Sequence, residues 1–185
     1  MNHIFEKLKE TKKPIIVENI LPRKSNIAIL NLLTKQKWQI ASDDNQCTFE
    51  AAYENNKNHL GWLYCSADPD TKKEELFNSP LNVFAFIITD IISKTLDFDI
   101  KKIHRFMWNY YNAKQEGVNH KDMEEESYLS IIYSLHTTDG GTIINDKFYQ
   151  DKESQAKIFM SNWIHKGMGT KNDKARSNLN IIMET

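Results

Sequence analysis

Cysteine is nearly missing from this chain of 185 residues. Cys47 and Cys65 are the only two, eighteen residues apart and without CxxC spacing, so neither a disulfide framework nor a thiolate zinc site is indicated. Two free thiols suit a reducing cytoplasm. Six glycines and four prolines form no low-complexity tract, and neither an internal repeat nor a domain boundary stands out. No stretch approaches eighteen consecutive apolar residues, and Met1 to Lys13 mixes Glu with Lys and lacks an apolar signal core. A soluble, intracellular (cytoplasmic) protein without a membrane partner is expected. Charge of one sign is also absent: 24 basic against 25 acidic residues give a net charge of -1, so no overall field draws the protein to nucleic acid. Only a local basic groove is left open.

The length suits one domain, residues 1–185, able to bury a core without staples, and 40% hydrophobic with 26% charged residues is ordinary for a globular protein. Pro14 to Ile20 reads as a strand. Ser25 is placed to cap a helix running to about Lys37, with Ile29, Leu32 and Leu33 on one face. Trp38 to Ala41, Cys47 to Ala51 and Leu60 to Cys65 read as strands, with a turn over Ser42 to Asn45 between the first two. Ala67 to Asp70 reads as loop and Thr71 to Phe77 as one or two helical turns. Leu81 to Leu96 is too long for a usual strand and too short to span a bilayer, so a buried helix is expected. These first hundred residues form a mixed α/β support.

From Lys102 the texture changes to strands separated by polar turns. In Ile103 to Asn112 the residues Phe106, Trp108 and Tyr110 share one face while Met107, Asn109 and Tyr111 share the other. Ser127 to His136, Thr142 to Phe148, Ala156 to Met160 and Ser177 to Met183 follow, with a strong turn at Asp139-Gly140-Gly141. Short strands at this spacing point to an α+β fold. Its core, residues 103–183, is expected to be a double-stranded β-helix, or jelly roll, buttressed by N-terminal helices.

His120 and Asp122, at i and i+2 on an extended segment, project to one side. A second histidine from a later strand, His165, would complete a two-histidine, one-carboxylate set, which holds one face of an octahedral iron(II) and leaves other positions open. Each residue has a plainer reading when taken alone. His120-Lys121-Asp122 is also what a solvated turn beside Glu124-Glu125-Glu126 looks like, and His165 beside Trp163 could be packed core. Arg176 could belong to a surface basic run with Lys171 and Lys174. These residues occur along the chain in one order: an aromatic strand, HxD, a strand ending near DGG, a histidine ahead of Gly167 and Gly169, and an arginine opening the last strand. The two glycines suggest a backbone that bends away after His165. His3, His59, His104 and His136 have no such partner and read as structural or surface, with His136 the nearest competitor.

In that order the chain resembles the 2-oxoglutarate- and iron(II)-dependent oxygenases, most closely the compact prolyl 4-hydroxylase-like members, including phage-encoded ones. The resemblance covers roughly residues 103 to 183 with specific motifs, and the rest only in layout. It implies that His120, Asp122 and His165 are the catalytic iron ligands. It also implies that Arg176, eleven residues after His165, receives the remote carboxylate of 2-oxoglutarate, a task suited to a guanidinium fork that stays charged. Asn178 stands where some members carry a serine for the same carboxylate, and Tyr110, ten residues before His120, matches a tyrosine that faces the cosubstrate. For Tyr110, core packing is an equal alternative. The implied reaction consumes 2-oxoglutarate and O2, hydroxylates a C–H bond, and yields succinate and CO2, with a prolyl or other protein residue as substrate by fold-level analogy. A metal- or ligand-binding jelly roll without catalysis is the competing class. A cofactor-free iron dioxygenase is disfavoured, because it would have no use for Arg176.

Overall fold

The computed structural model describes residues 3–40, 61–67, 79–172 and 174–185. Among them are helices α1 (His3–Thr11), α2 (Arg23–Leu33) and α3 (Pro80–Leu96). The strands are β1 (Ile15–Val17), β2 (Gln39–Ile40), β3 (Gly61–Ala67), β4 (Lys102–Tyr111), β5 (Tyr128–Ser134), β6 (Gly141–Ile144), β7 (Lys147–Gln150), β8 (Gln155–Met160), β9 (His165–Met168) and β10 (Arg176–Glu184). They form two antiparallel sheets, one ordered β1-β8-β5-β10-β4-β3-β2 and a smaller one ordered β7-β6-β9. No helix among the described residues is long and apolar enough to cross a membrane.

The alternation in β4 organises the larger sheet. Trp108 lies in one cross-strand row with Leu179, Tyr133 and Ala156, and Phe106 in the next with Ile181, Ile131 and Ile158. All eight are fully buried and join the helices in one apolar cluster, to which α1 contributes Ile4 and Leu8, α2 Ile29 and Leu33, and α3 Leu81, Ala85, Ile88 and Ile92. The helical spacings of three and four put these residues on single faces. Phe86 seals α3 to the sheet with its ring edge-on to Phe106, centroids 5.0 Å apart.

The opposite face is polar and turns toward the smaller sheet. Its rows read Asn109, Asn178, Ser134, Gln155, then Met107, Asn180, Ile132, Lys157, then Arg105, Ile182, Ser130, Phe159. Phe159 and Ile132 meet Ile144 of β6 in a small second apolar cluster. The candidate site occupies the space between the sheets.

Several sequence expectations need adjustment. Helix α2 begins at Arg23 after Pro22, so Ser25 lies in its first turn, and the helix ends at Leu33 with Thr34 as its C-cap. The first strand stops at Val17, and Asn19, at φ 59°, carries the chain out of extended geometry. Thr142 to Phe148 is a hairpin rather than one strand: Asn145 and Asp146, at φ 47° and 62°, make the two-residue turn between β6 and β7. The expected elements at 42–51 and 68–77 lie outside the described residues, as does His59.

Candidate metal centre

The segment before Asp122 runs beside β9 as an antiparallel neighbour. Gly117 N donates to Gly167 O at 2.7 Å, and His120 and His165 exchange both backbone bonds, at 3.0 and 2.9 Å. This pairing brings the imidazoles together, with centroids 4.2 Å apart. Asp122 is pinned next to them because its backbone N–H donates to Ser161 O at 2.9 Å. One donor atom from each of His120, Asp122 and His165 lies within 4.8 Å of the others, an arrangement able to hold a metal ion. His165 Nε2 is 3.5 Å from Asp122 Oδ2, and His120 Nε2 is 3.8 Å from Oδ1.

The protonation of both rings follows from their partners. His120 Nδ1 is 2.9 Å from Val118 O and His165 Nδ1 is 3.0 Å from Trp163 O. A carbonyl can only accept, so each Nδ1 carries a proton and each Nε2 is the ring atom turned to Asp122. His165 Nε2 is buried without a hydrogen-bond partner. An orphaned buried acceptor is costly, and a cation would satisfy it. Burial lowers the His165 pKa, the more so beside His120, while Asp122 opposes the shift; the ring is neutral, as a metal ligand must be.

Asp122 supplies the negative charge. Burial alone would push its pKa up, but His165, Arg105, His120 and the Ser130 hydroxyl outweigh that and hold it at about 2. Arg105 Nη2 donates to Oδ1 at 3.0 Å, while Ser130 Oγ and Asn180 Nδ2 donate to Oδ2 at 2.6 and 3.4 Å. Sequence reasoning missed these supports. Their signal was parity: Arg105 shares the face of Met107, Asn109 and Tyr111, where a charge between sheets needs a partner.

Arg176 is fully buried on the same face of β10, four residues from Asn180. Its Nε donates to Asp151 Oδ2 at 2.5 Å and its Nη2 to Thr142 Oγ1 at 3.0 Å. The amide orientation that suits Asn178 turns its oxygen to Arg176 Nη1 and Nη2, at 3.3 and 3.1 Å. Asp151 also accepts from Lys157 Nζ at 2.6 Å. Neither Asp151 nor Lys157 was singled out in the sequence, where β8 reads as an ordinary strand.

Tyr110 lies elsewhere. It faces Trp38, ring centroids 5.9 Å apart, on the Trp108 side of β4. Strand parity instead gives Tyr111 to Arg176, whose guanidinium carbon sits 4.8 Å from that ring's centroid. The glycine after His165 also has a different role from the bend expected. Gly167 stays within β9, and a Cβ there would collide with the Tyr111 hydroxyl and ring, so glycine is needed to admit that ring. Gly167→Ala is expected to destabilise the protein by about 1–3 kcal/mol through overpacking. In urea denaturation, Tyr111→Ala in the same chain should recover part of that loss, and strictly additive costs would refute the contact.

The other described histidines stand apart from the metal-binding group. His136 Nε2 accepts from Ser177 N at 3.3 Å, the His104 ring packs edge-on to Tyr128, and His3 is exposed on α1. Lys121 pairs with Glu124 at the surface, consistent with its pointing away from the site.

No family model and no curated protein matches the sequence. Solved structures do match the fold. An oxidoreductase of the 2OG-Fe(II) oxygenase family from Burkholderia pseudomallei superposes with a TM-score of 0.67 at 10% identity, covering 100% of this chain and 90% of that one. A prolyl hydroxylase from Trichoplax adhaerens, in complex with a hypoxia inducible factor peptide fragment, gives 0.67 at 14% identity, with 99% and 88% covered. HygX from Streptomyces hygroscopicus, with nickel and 2-oxoglutarate bound, gives 0.68 at 5% identity, with 100% and 87% covered.

Proposed function

We propose that this chain is a 2-oxoglutarate- and iron(II)-dependent dioxygenase, a single domain spanning residues 1–185 whose two sheets form a jelly roll. The roll is supported by the path of the chain: from β5 to β10 it passes from the larger sheet to the smaller, back at β8, across at β9 and back at β10. The observation that carries the function is the buried, unpartnered Nε2 of His165, grouped with His120 against the ionised Asp122.

In this reading His120, Asp122 and His165 hold the metal. Iron(II) there would supply open positions for 2-oxoglutarate and O2, and hence an oxidation with succinate and CO2 as coproducts. The Val118 and Trp163 carbonyls fix the two rings, while Ser130, Asn180 and Arg105 fix the carboxylate. Arg176, backed by Asn178 and flanked by Tyr111, receives the distal carboxylate of the cosubstrate. Tyr110 has no part in it, because its ring sits with Trp38. The substrate class is a prolyl or other residue of a protein or peptide, a reading supported by the peptide-bound relative.

Anaerobic addition of iron(II) and 2-oxoglutarate should produce a visible metal-to-ligand charge-transfer band. His165→Ala should abolish the band. Arg176→Ala should retain it but require more 2-oxoglutarate. Folded, iron-loaded protein without the band would overturn the assignment, and succinate release with candidate peptides would separate an enzyme from a binder.

A further inference from the structure

Two cations and one anion are buried together on the polar face of the larger sheet. Arg176, Lys157 and Asp151 are 1, 0 and 1% exposed, and Asp151 bridges the other two at 2.5 and 2.6 Å. The second contact has the short length of a charge-assisted bond between an ammonium and a carboxylate. Arg176 and Lys157 outweigh the burial of Asp151, so its pKa is lowered and it is ionised at neutral pH. Burial lowers His136, the histidine beside the cluster, so it adds no charge there. Burial lowers the Lys157 pKa, and Asp151 opposes that shift through the ion pair and the 2.6 Å hydrogen bond; with the ammonium held on Asp151, the sum is one positive charge. Among the described residues no second carboxylate lies within ion-pair reach of either cation.

An excess buried cation is expensive, and an anion arriving beside it would offset that cost. If Asp151 met Arg176 alone, the pair would be neutral and an incoming carboxylate would face the Asp151 charge as well as the guanidinium. Lys157 changes that balance. Its ammonium takes Asp151 Oδ1, which Arg176 Nη2 reaches only at 3.5 Å, and lies 3.3 Å from Ser134 Oγ, so Asp151 can fix the guanidinium chiefly through Nε without cancelling its charge.

Building on the cosubstrate reading above, we infer that Lys157 is the charge-balancing residue of the distal-carboxylate site. By neutralising Asp151 it leaves the Asp151–Arg176–Lys157 cluster one uncompensated positive charge, matched to a 2-oxo acid that carries a second carboxylate. Lys157 is thus a positioning residue acting through Asp151 and Arg176, and it sets a preference for dicarboxylic over monocarboxylic 2-oxo acids.

The test is calorimetric binding of 2-oxoglutarate and of pyruvate, which lacks the distal carboxylate, to manganese(II)-loaded protein without turnover. Lys157→Met should weaken 2-oxoglutarate at least about tenfold, as expected for loss of one charge-assisted interaction. Pyruvate should move by less than about twofold. Lys157→Met combined with Asp151→Asn restores the net charge and should bring 2-oxoglutarate to within about threefold of wild type, a rescue that a merely structural lysine would not give. Unchanged 2-oxoglutarate affinity in Lys157→Met, or a double variant at least about tenfold weaker than wild type, would overturn the inference. If Lys157→Met does not fold, the double variant decides alone by the same criterion. Wild-type protein that binds manganese(II) but not 2-oxoglutarate would remove the cosubstrate reading and this inference with it. Wild-type binding with an indifferent Lys157→Met removes only the inference.

Discussion

Alanine at position 151 is expected to destabilise the protein by about 3–5 kcal/mol, the usual cost of removing one partner from a buried ion pair. Asp151 holds two buried cations, and its loss leaves Arg176 and Lys157 facing each other with no anion between them. Against a total stability of about 5–15 kcal/mol, that loss is large enough to lower the urea midpoint substantially or to prevent folding. The same ion cluster predicts an acid limb. Burial pushes the Asp151 pKa up, but Arg176 and Lys157 pull it below its ordinary value of 3.8, so the net shift is downward. A depressed carboxylate contributes stability that is present above that value and is lost as pH falls through the folded-state pKa. Wild-type stability should therefore decline from about pH 4 downward, and the variant should lose this part of the slope. Equal urea midpoints for Asp151→Ala and wild type at pH 7 would contradict the cluster's role.

Asp122→Asn should lower metal affinity by more than about a hundredfold, beyond the 10–100-fold that losing an outer partner of a ligand typically costs. The substitution keeps the shape and much of the hydrogen bonding to Arg105, Ser130 and Asn180 but removes the only anionic donor of the three-residue group. Two neutral imidazoles would then face the cation beside Arg105, whose charge repels it. Anaerobic titration with iron(II) or cobalt(II) reads the effect directly. Ser130→Ala, which removes only the 2.6 Å bond to Oδ2, belongs in the smaller range. An Asn variant with wild-type affinity would strike Asp122 from the ligand set.

What could be read from the sequence was what periodicity and order carry. The apolar density from Leu81 to Leu96 marked α3, and alternation from Ile103 to Asn112 marked β4 together with its two faces. Order along the chain singled out His120, Asp122 and His165, which the fold brings within 4.8 Å of one another. Failures arose where one step of parity or a cross-strand partner decides the outcome. Tyr110 and Tyr111 differ by one residue and so point to opposite faces, and only the pairing of Tyr111 with Arg176 reveals which one meets the guanidinium. Asn145-Asp146 was a two-residue turn signal hidden in an otherwise strand-like run. β9 is only four residues long, with glycine inside it, and it exists because β6 on one side and the His120 segment on the other supply its hydrogen bonds. Lys157 and Asp151 are six residues apart and separated by a turn, so their ion pair has no helical or strand spacing to announce it.

The two histidines share one local device: each ring is held by the carbonyl two residues upstream, at Val118 and at Trp163. That grip is made entirely of main chain. The side chain of residue 118 takes no part in this grip, and Trp163 serves it only through its carbonyl while its indole packs against both apolar clusters, so the rings hold their orientation as long as the backbone keeps its course. The chemistry of the centre then depends on very few letters of the sequence, and an alanine scan of its surroundings should find the rings' orientation encoded in bends rather than in side chains.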